Sequence, residues 1–305
     1  MSFVLSRLAS TLLVIFGVAL GVFLLIHLIP GDPVEVMLGE FAGPADREAL
    51  RHALGLDLPL WKQALAYFSG LLNLDLGTSL HTHRPVASIL WERFPATLTL
   101  ALAGLSVAIA LALPLGILAA IRKNTFWDRL AMGFSLLGIS IPNFWLGPML
   151  ILIFSLWLGW LPVSGREGFS SLILPALTLG TSLAAILARM VRTSLLEVLG
   201  EDYIRTALAK GLSPREVILN HALRNAWLPI VTILGLQFGA LLGGAVITEV
   251  VFAWPGLGSL TVEAIQRRDY PLVQGCVLLI SITYVIINTS TDILYAWLDP
   301  RIRWT

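Results

Sequence analysis

In a chain that is 57% hydrophobic and 13% charged, chemistry has to come from the few polar groups set among apolar runs. A polar or ionisable side chain inside a membrane span is costly, so it marks a path, a partner or a structural job. Asn143, Gln237, Glu249, Asn288 and Asp292 hold such positions, with His27 near the end of the first apolar run. Snorkelling or capping accounts for His27 and Asp292; Asn143, Gln237 and Glu249 are the candidates to face a transport path. A second concentration of polar groups is residues 201–229, EDYIRTALAKGLSPREVILNHALRNAWLP, made basic by Arg205, Lys210, Arg215 and Arg224. His81 and His83 stand one residue apart, which is short of the four ligands of a closed zinc site. GxxxxGK[ST], HExxH and GxSxG are all missing, so the chain itself has no phosphate loop for ATP and no protease signature of those kinds. An intramembrane enzyme needs a nucleophile and a base within spans, and no in-span His faces a Ser at recognisable spacing. A self-sufficient channel or ion-coupled transporter should show an in-span carboxylate cluster or an internal repeat, and neither is found.

The basic stretch reads as two short helices around a turn. Asp202 is expected to cap the first, with Tyr203, Ile204, Ala207 and Leu208 on one face. Gly211 sits where a helix stops, because glycine takes a left-handed conformation cheaply. Ser213, Pro214 and Glu216 form a capping box with proline at the first helical position. An ordinary amphipathic surface loop is the alternative reading.

Around these polar groups lie six apolar segments, roughly 8–29, 96–121, 130–160, 172–190, 228–252 and 273–297. Each is long enough for a hydrocarbon layer about 30 Å thick. The third is too long for one straight crossing and contains Pro142, Asn143 and Pro148. It is either kinked or extended, or it is a re-entrant pair that would change the parity. With six crossings and the N-terminus inside, the cytoplasmic pieces hold 12 of the 20 Lys and Arg residues. The positive-inside rule then puts both termini in the cytoplasm. Trp91, Trp127, Trp157, Trp160, Trp227, Trp254, Trp297 and Trp304 fall near span ends, where indole rings anchor. The first apolar run is expected to be an uncleaved span rather than a signal peptide. A net charge of +1 makes no case for nucleic acid. Cys276 is alone, so an intrachain disulfide is excluded and a buried position is expected.

Between the first two spans, residues 30–95 open with the turn PGDP, and 44–54 and 59–72 read as short amphipathic helices separated by a turn at 55–59. Their carboxylates could meet a partner or simply be solvated. Small-residue stripes run through the spans: Gly17 and Gly21; Gly104, Ala108, Ala112 and Gly116; Gly235, Gly239 and Gly243. Such stripes let helix backbones approach in lipid, and packing within one subunit is the first reading of each. The stripe at 235–243 shares its helix with Gln237 and Glu249. This suits a path lining, with Gly239 and Gly243 at close contacts and Glu249 near the outer gate.

TALAKGLSPREVILNHALRN resembles the cytoplasmic coupling loop of ABC importer permeases, with Ala207 as the second alanine and Gly211 as the glycine of its motif. Arg205 and Thr206 stand for the usual glutamate and first alanine, and His221 and Arg224 for a later isoleucine and proline. These departures, with PGDP, LGLDLPL, GGAV–TEVVFAWPGLG, RDYP–VQG and LDPRIR, resemble the branch importing di- and oligopeptides, nickel complexes and glutathione. The resemblance implies an all-α inner-membrane protein of six transmembrane helices. It also implies an extracytoplasmic helical segment between spans one and two, in residues 1–95, and a five-helix core in 96–305 with a coupling helix in about 193–227. Tyr203, Arg205, Thr206, Ala207, Lys210, Gly211, Ser213 and Pro214 would contact the ATPase. Implied partners are a second homologous permease, two ATP-binding cassette subunits that carry the ATP and magnesium, and an extracytoplasmic binding protein; this chain itself would hold no cofactor or metal.

Overall fold

The computed structural model describes residues 2–28, 34, 43–53 and 55–298. The PGDP turn, Asp32, Glu35, Glu40 and the LDPRIR residues from 299 onward lie outside the described residues. Among those described, the chain is helical, with one isolated β-bridge between Thr78 and Pro85.

Helix α1 (Ser2–Leu28) is followed by two short helices, α2 (Pro44–Ala53) and α3 (Leu60–Leu72). These match the two amphipathic stretches of the sequence, and the turn between them is made at Gly55, φ +67°. Helix α4 (Val86–Ile121) contains Pro95 and Pro114, so the division at residues 95 and 96 falls inside an unbroken helix. Helix α5 (Phe126–Ser140) and α6 (Asn143–Leu150), continued by a π-helical stretch Ile151–Trp157, meet at a bend of 102°. Proline causes the bend: Pro142 disfavours helical backbone at the preceding residue, and Ile141 is extended, φ −90° and ψ 116°. Helix α7 (Ser170–Leu199) leads to α8 (Asp202–Ala209) and the single turn α9 (Pro214–Glu216). A π-helical stretch, Val217–Ala222, then runs directly into α10 (Leu223–Val251). Helices α11 (Leu257–Gln266) and α12 (Tyr270–Leu298) complete the described chain. Five of these helical stretches are long and apolar enough to cross a membrane, or up to six if the bent pair counts as a span.

Helix directions follow from close contacts. A Cβ on Gly104 would meet Leu179, and one on Gly116 would meet Val191, so α4 and α7 run parallel. The bent pair must therefore carry the chain from one end of the bundle to the other. Its start is held near the end of α7 by Asp128 and Arg192. Its exit is held at the end of α10, where Gly165 N–H donates to the Phe252 carbonyl at 3.0 Å. That favours a broken crossing over a re-entrant pair. In the same way, Gly235 lies against Thr291 and Gly239 against Tyr284 and Asn288, so α10 and α12 are antiparallel.

The stripe Gly104–Gly116 packs on α7, where it shares the main core with Leu179, Leu187, Val191 and Leu195. Burial within the subunit is thus its use. Gly17 and Gly21 are different: nothing lies within 4 Å of a Cβ placed on either. Helix α1 instead packs on α12, where Thr11 and Thr289 share a hydrogen bond of 2.8 Å and Gln274 donates to the Val22 carbonyl at 3.0 Å. Arg7 and Asp292 close the pair with an ion pair of 3.3 Å. A smaller core at the opposite end joins α4, α11 and α12 around Cys276, which is fully buried.

Candidate functional site

The end of α7 delivers a compact hairpin. Helix α8 has Asp202 as its first residue, and the cap position is Glu201, extended at φ −73° and ψ 148° with no side-chain cap bond. The expected Asp202 cap is therefore displaced by one residue. The four apolar positions of α8 divide as well. Ile204 and Ala207 are buried in the main core, while Tyr203 and Leu208 are 40% and 46% exposed. Residues spaced i, i+3 share a helix face, and here only that pair reaches the core. Tyr203 still holds the hairpin together, because Asn225 Nδ2 donates to its hydroxyl at 2.6 Å.

Gly211 has φ +87°, with nothing within 4 Å of a Cβ built on it. Its requirement is conformational, not steric. Ser213 is extended at φ −67° and ψ 147° and accepts from Glu216 N–H at 3.3 Å, with Pro214 at the first helical position. The second helix is not short as expected: π-helical turns carry it straight into α10. Arg205, Thr206, Lys210, Ser213 and Pro214 all lie at the exposed surface, and Arg205 reaches Asp202 at 3.5 Å in the open.

The candidates for the path are not brought to one point. Asn143 opens α6 at the bend, and its side-chain oxygen is buried without a hydrogen-bond partner. Gln237 is half-buried on α10. Gly239 is buried, with Tyr284 and Asn288 at 3.2 Å from a Cβ built there, whereas Gly243 has open space within 4 Å. Gly243 is therefore not a close contact within this chain. It belongs to an exposed row of Leu236, Ala240, Gly243, Ile247 and Val250 along one side of α10.

Glu249 is fully buried. Thr97 donates its hydroxyl to Oε1 at 2.6 Å, and Ser259 N–H donates to Oε2 at 3.0 Å. The Thr97 oxygen in turn accepts from Leu257 N–H at 2.7 Å. One carboxyl group and one hydroxyl thus satisfy orphan N–H groups in the first turn of α11, which a helix start leaves without intrahelical partners. Gly256 and Gly258 let α11 approach α10 this closely: a Cβ on Gly256 would strike the Glu249 carboxyl, and one on Gly258 would stand 2.6 Å from Val246 Cα. Trp254 is 2% exposed and donates its indole N–H to the Ala96 carbonyl at 2.8 Å. It is a core residue here, not the interfacial anchor its position suggested. Sequence reasoning also missed two polar pairs. One is the Asp128 and Arg192 pair, and the other is Ser79, which donates to Asp269 at 2.5 Å. His81 bonds the Arg267 carbonyl at 2.7 Å, fixing the segment before α4 onto the end of α11.

Residues 112–304 match the family described as binding-protein-dependent transport system inner membrane component, and residues 1–101 match the family described as the N-terminal part of the membrane component of such systems. The chain belongs to this family. It is a permease subunit of an ABC importer, a multi-pass inner-membrane protein and a transport component. The permease is 45% identical to the glutathione transport system permease protein GsiC of Escherichia coli strain K12, covering 100% of this chain and 99% of that one. It is 43% identical to the dipeptide transport system permease protein DppB of the same strain, covering 99% of each. Its fold is similar to a chain of the MetNI methionine ABC transporter in inward-facing form, with TM-score 0.57 and 21% identity over 69% of this permease and 96% of that chain. A second likeness is to an amino acid ABC transporter, with TM-score 0.53 and 14% identity over 70% of this permease.

Proposed function

We propose that this permease imports di- or oligopeptides handed over by an extracytoplasmic binding protein, and that separate ATPase subunits drive it through α8 and the turn at Gly211. The observation that carries the coupling assignment is the geometry of that turn. Gly211 at φ +87° and the Ser213 cap fix α8 between the end of α7 and the start of α10. A docked subunit can shift a conformational equilibrium only through contacts that differ between states, and a short helix with one exposed face, joined to two spans by tight turns, transmits such contacts. Tyr203, Arg205, Thr206, Ala207, Lys210, Gly211, Ser213 and Pro214 make up this unit. ATP and magnesium then belong to two cassette subunits, and a second homologous permease completes the path.

In this reading the chain crosses the membrane six times with both termini in the cytoplasm. The antiparallel pairings put Arg7, Asp292, Arg192 and the Gly211 turn at one end, which is the end the positive-inside count assigns to the cytoplasm. The segment of residues 44–85 then lies on the outer side of the bundle. The exposed row of α10 through Gly243 faces the path or the second permease, and Gln237 lies on the same helix. Gly239 and Glu249 act from behind it, one seating α12 and the other holding the start of α11. The buried, unpartnered oxygen of Asn143 is a polar group awaiting a partner.

Glutathione is itself a tripeptide, and identities of 45% and 43% do not separate the two substrates; a nickel or metallophore complex is the remaining alternative. The deciding experiment purifies the permease with its associated subunits and binding protein and measures ATPase stimulation by dipeptides, glutathione and nickel complexes in competition. Stimulation by dipeptides is expected. Stimulation by glutathione alone moves the substrate, and failure of an ATPase to co-purify removes the coupling assignment.

A further inference from the structure

Helix α3 has two different sides. One faces α1, where Phe68 stacks on Phe16 with ring centroids 5.1 Å apart and Tyr67 meets Phe23 at 5.6 Å. The flank beside it carries Trp61, Leu65 and Leu72, which share the helical stripe of Phe68 and are exposed by 62%, 62% and 87%; Leu60 at the helix start is exposed by 55% and Leu74 just beyond the helix by 82%. Lys62 is the only charged residue of α3, and its ammonium sits 5.4 Å from the Trp61 ring centroid. Helix α2, in contrast, carries Asp46, Arg47, Glu48 and Arg51 within ten residues.

The depth of α3 follows from its partners on α1. Arg7 marks one end of that helix through Asp292. At 1.5 Å per residue, Phe16 lies about 14 Å and Phe23 about 24 Å along α1 from Arg7. The hydrocarbon layer is about 30 Å thick, so the aromatic contacts are made within it, from near its middle at Phe16 into the half away from Arg7 at Phe23. On α1, Leu12, Leu13, Phe16, Leu20 and Leu24 are exposed, so the exposed side of a membrane-spanning helix borders the apolar side of α3. A soluble binding protein would meet a different surface, since protein interfaces formed in water carry a polar rim.

We propose that α3 lies embedded in the bilayer leaflet opposite the coupling end, with lipid acyl chains covering Leu60, Trp61, Leu65 and Leu72. Trp61 and Lys62 then sit at the headgroup boundary, where an indole and a snorkelling lysine are both favoured. The segment between the first two spans is thus not all a water-facing cap: α2 stands in water and α3 in lipid. The inference rests on α1 crossing the membrane and is independent of the substrate.

The test uses the assembled transporter in vesicles of phosphatidylethanolamine and phosphatidylglycerol, with or without brominated acyl chains. The native Cys276 is fully buried, so single cysteines placed at Leu65, Leu72, Leu13 and Glu48 carry the fluorophore. ATPase activity selects the folded variants. Brominated lipid is expected to quench the label at Leu65 and Leu72 to the same degree as at Leu13 on α1, and to leave Glu48 on α2 unquenched. Quenching at Leu65 and Leu72 as weak as at Glu48 overturns the proposal. In that event an impermeant maleimide tells the cause: reaction at Leu65 and Leu72 means water covers the face, and no reaction means a protein partner does.

Discussion

Arg192 donates two hydrogen bonds to Asp128, Nε to Oδ1 at 2.7 Å and Nη2 to Oδ2 at 2.8 Å, and ties the start of α5 to the last turns of α7. The Asp128 side chain is 5% exposed and that of Arg192 23%, and Asn124 N–H also donates to Oδ2 at 2.8 Å. Removing one partner of a buried pair costs about 3–5 kcal/mol, and the partial exposure of Arg192 puts the cost here below that range. Asp128→Ala should therefore lower the thermal midpoint of the purified transporter more than the exposed Asp202→Ala. Because Arg192 sits two turns before the end of α7, which leads into α8, loss of the pair should also weaken ATPase stimulation. An unchanged midpoint in Asp128→Ala means the pair contributes no net stability.

Gly211→Val should abolish uptake and weaken ATPase association while the permease still inserts. A β-branched residue at φ +87° costs at least about 1 kcal/mol, and the hairpin can escape that cost by re-aiming α8. The space around Gly211 is open, so the structure adds a control. Gly211→Asn should retain most uptake, since asparagine tolerates the left-handed region. Equal loss in both variants would point to packing against a docked subunit instead of backbone conformation.

Ser213→Ala should do less than Gly211→Val. Loss of a cap typically costs about 1 kcal/mol, and at 3.3 Å this one is a long hydrogen bond. Uptake rates near the wild-type value are expected. A loss as complete as that of Gly211→Val would make the Ser213 hydroxyl a docking contact.

Gly239 and Gly243 should separate. Leucine at 239 meets Tyr284 and Asn288, so α12 must move and the yield of folded permease should fall. Leucine at 243 meets nothing in this chain; the protein should fold, assemble at least in part and fail to transport. Normal transport by Gly243→Leu would place that row against lipid.

Glu249→Gln should destabilise the transporter although it is nearly isosteric. The buried carboxyl accepts from both Thr97 and Ser259 N–H; the amide has an NH2 in place of one acceptor, so one of these two donors loses its acceptor. Leaving a buried donor unsatisfied costs about 1–3 kcal/mol. Thr97→Val, which removes the acceptor for Leu257 N–H, should act in the same direction. If both variants melt with the native protein, the hub at the start of α11 carries no stability.

Much of this protein was legible in its sequence because the signals are local. Apolar runs mark the spans whatever packs beside them, and the turn at Gly211–Pro214 is written in the conformational preferences of glycine, serine and proline. The coupling-loop resemblance reads the same local letters. Tertiary structure decided whatever depends on which neighbour a helix face meets. The glycine stripe of α10 looks uniform, yet Gly239 lies under α12 and Gly243 faces outward, because a periodic stripe does not say where its partner helix ends. Glu249 read as a costly polar group in a span; only the approach of α11 and α4 supplied the donors that make its burial tolerable. Asp128 and Arg192 stand 64 residues apart, and Phe16 lies in the first helix while Phe68 lies in the segment that follows it. No local preference encodes such pairings, because the chain commits to them only when its helices have packed.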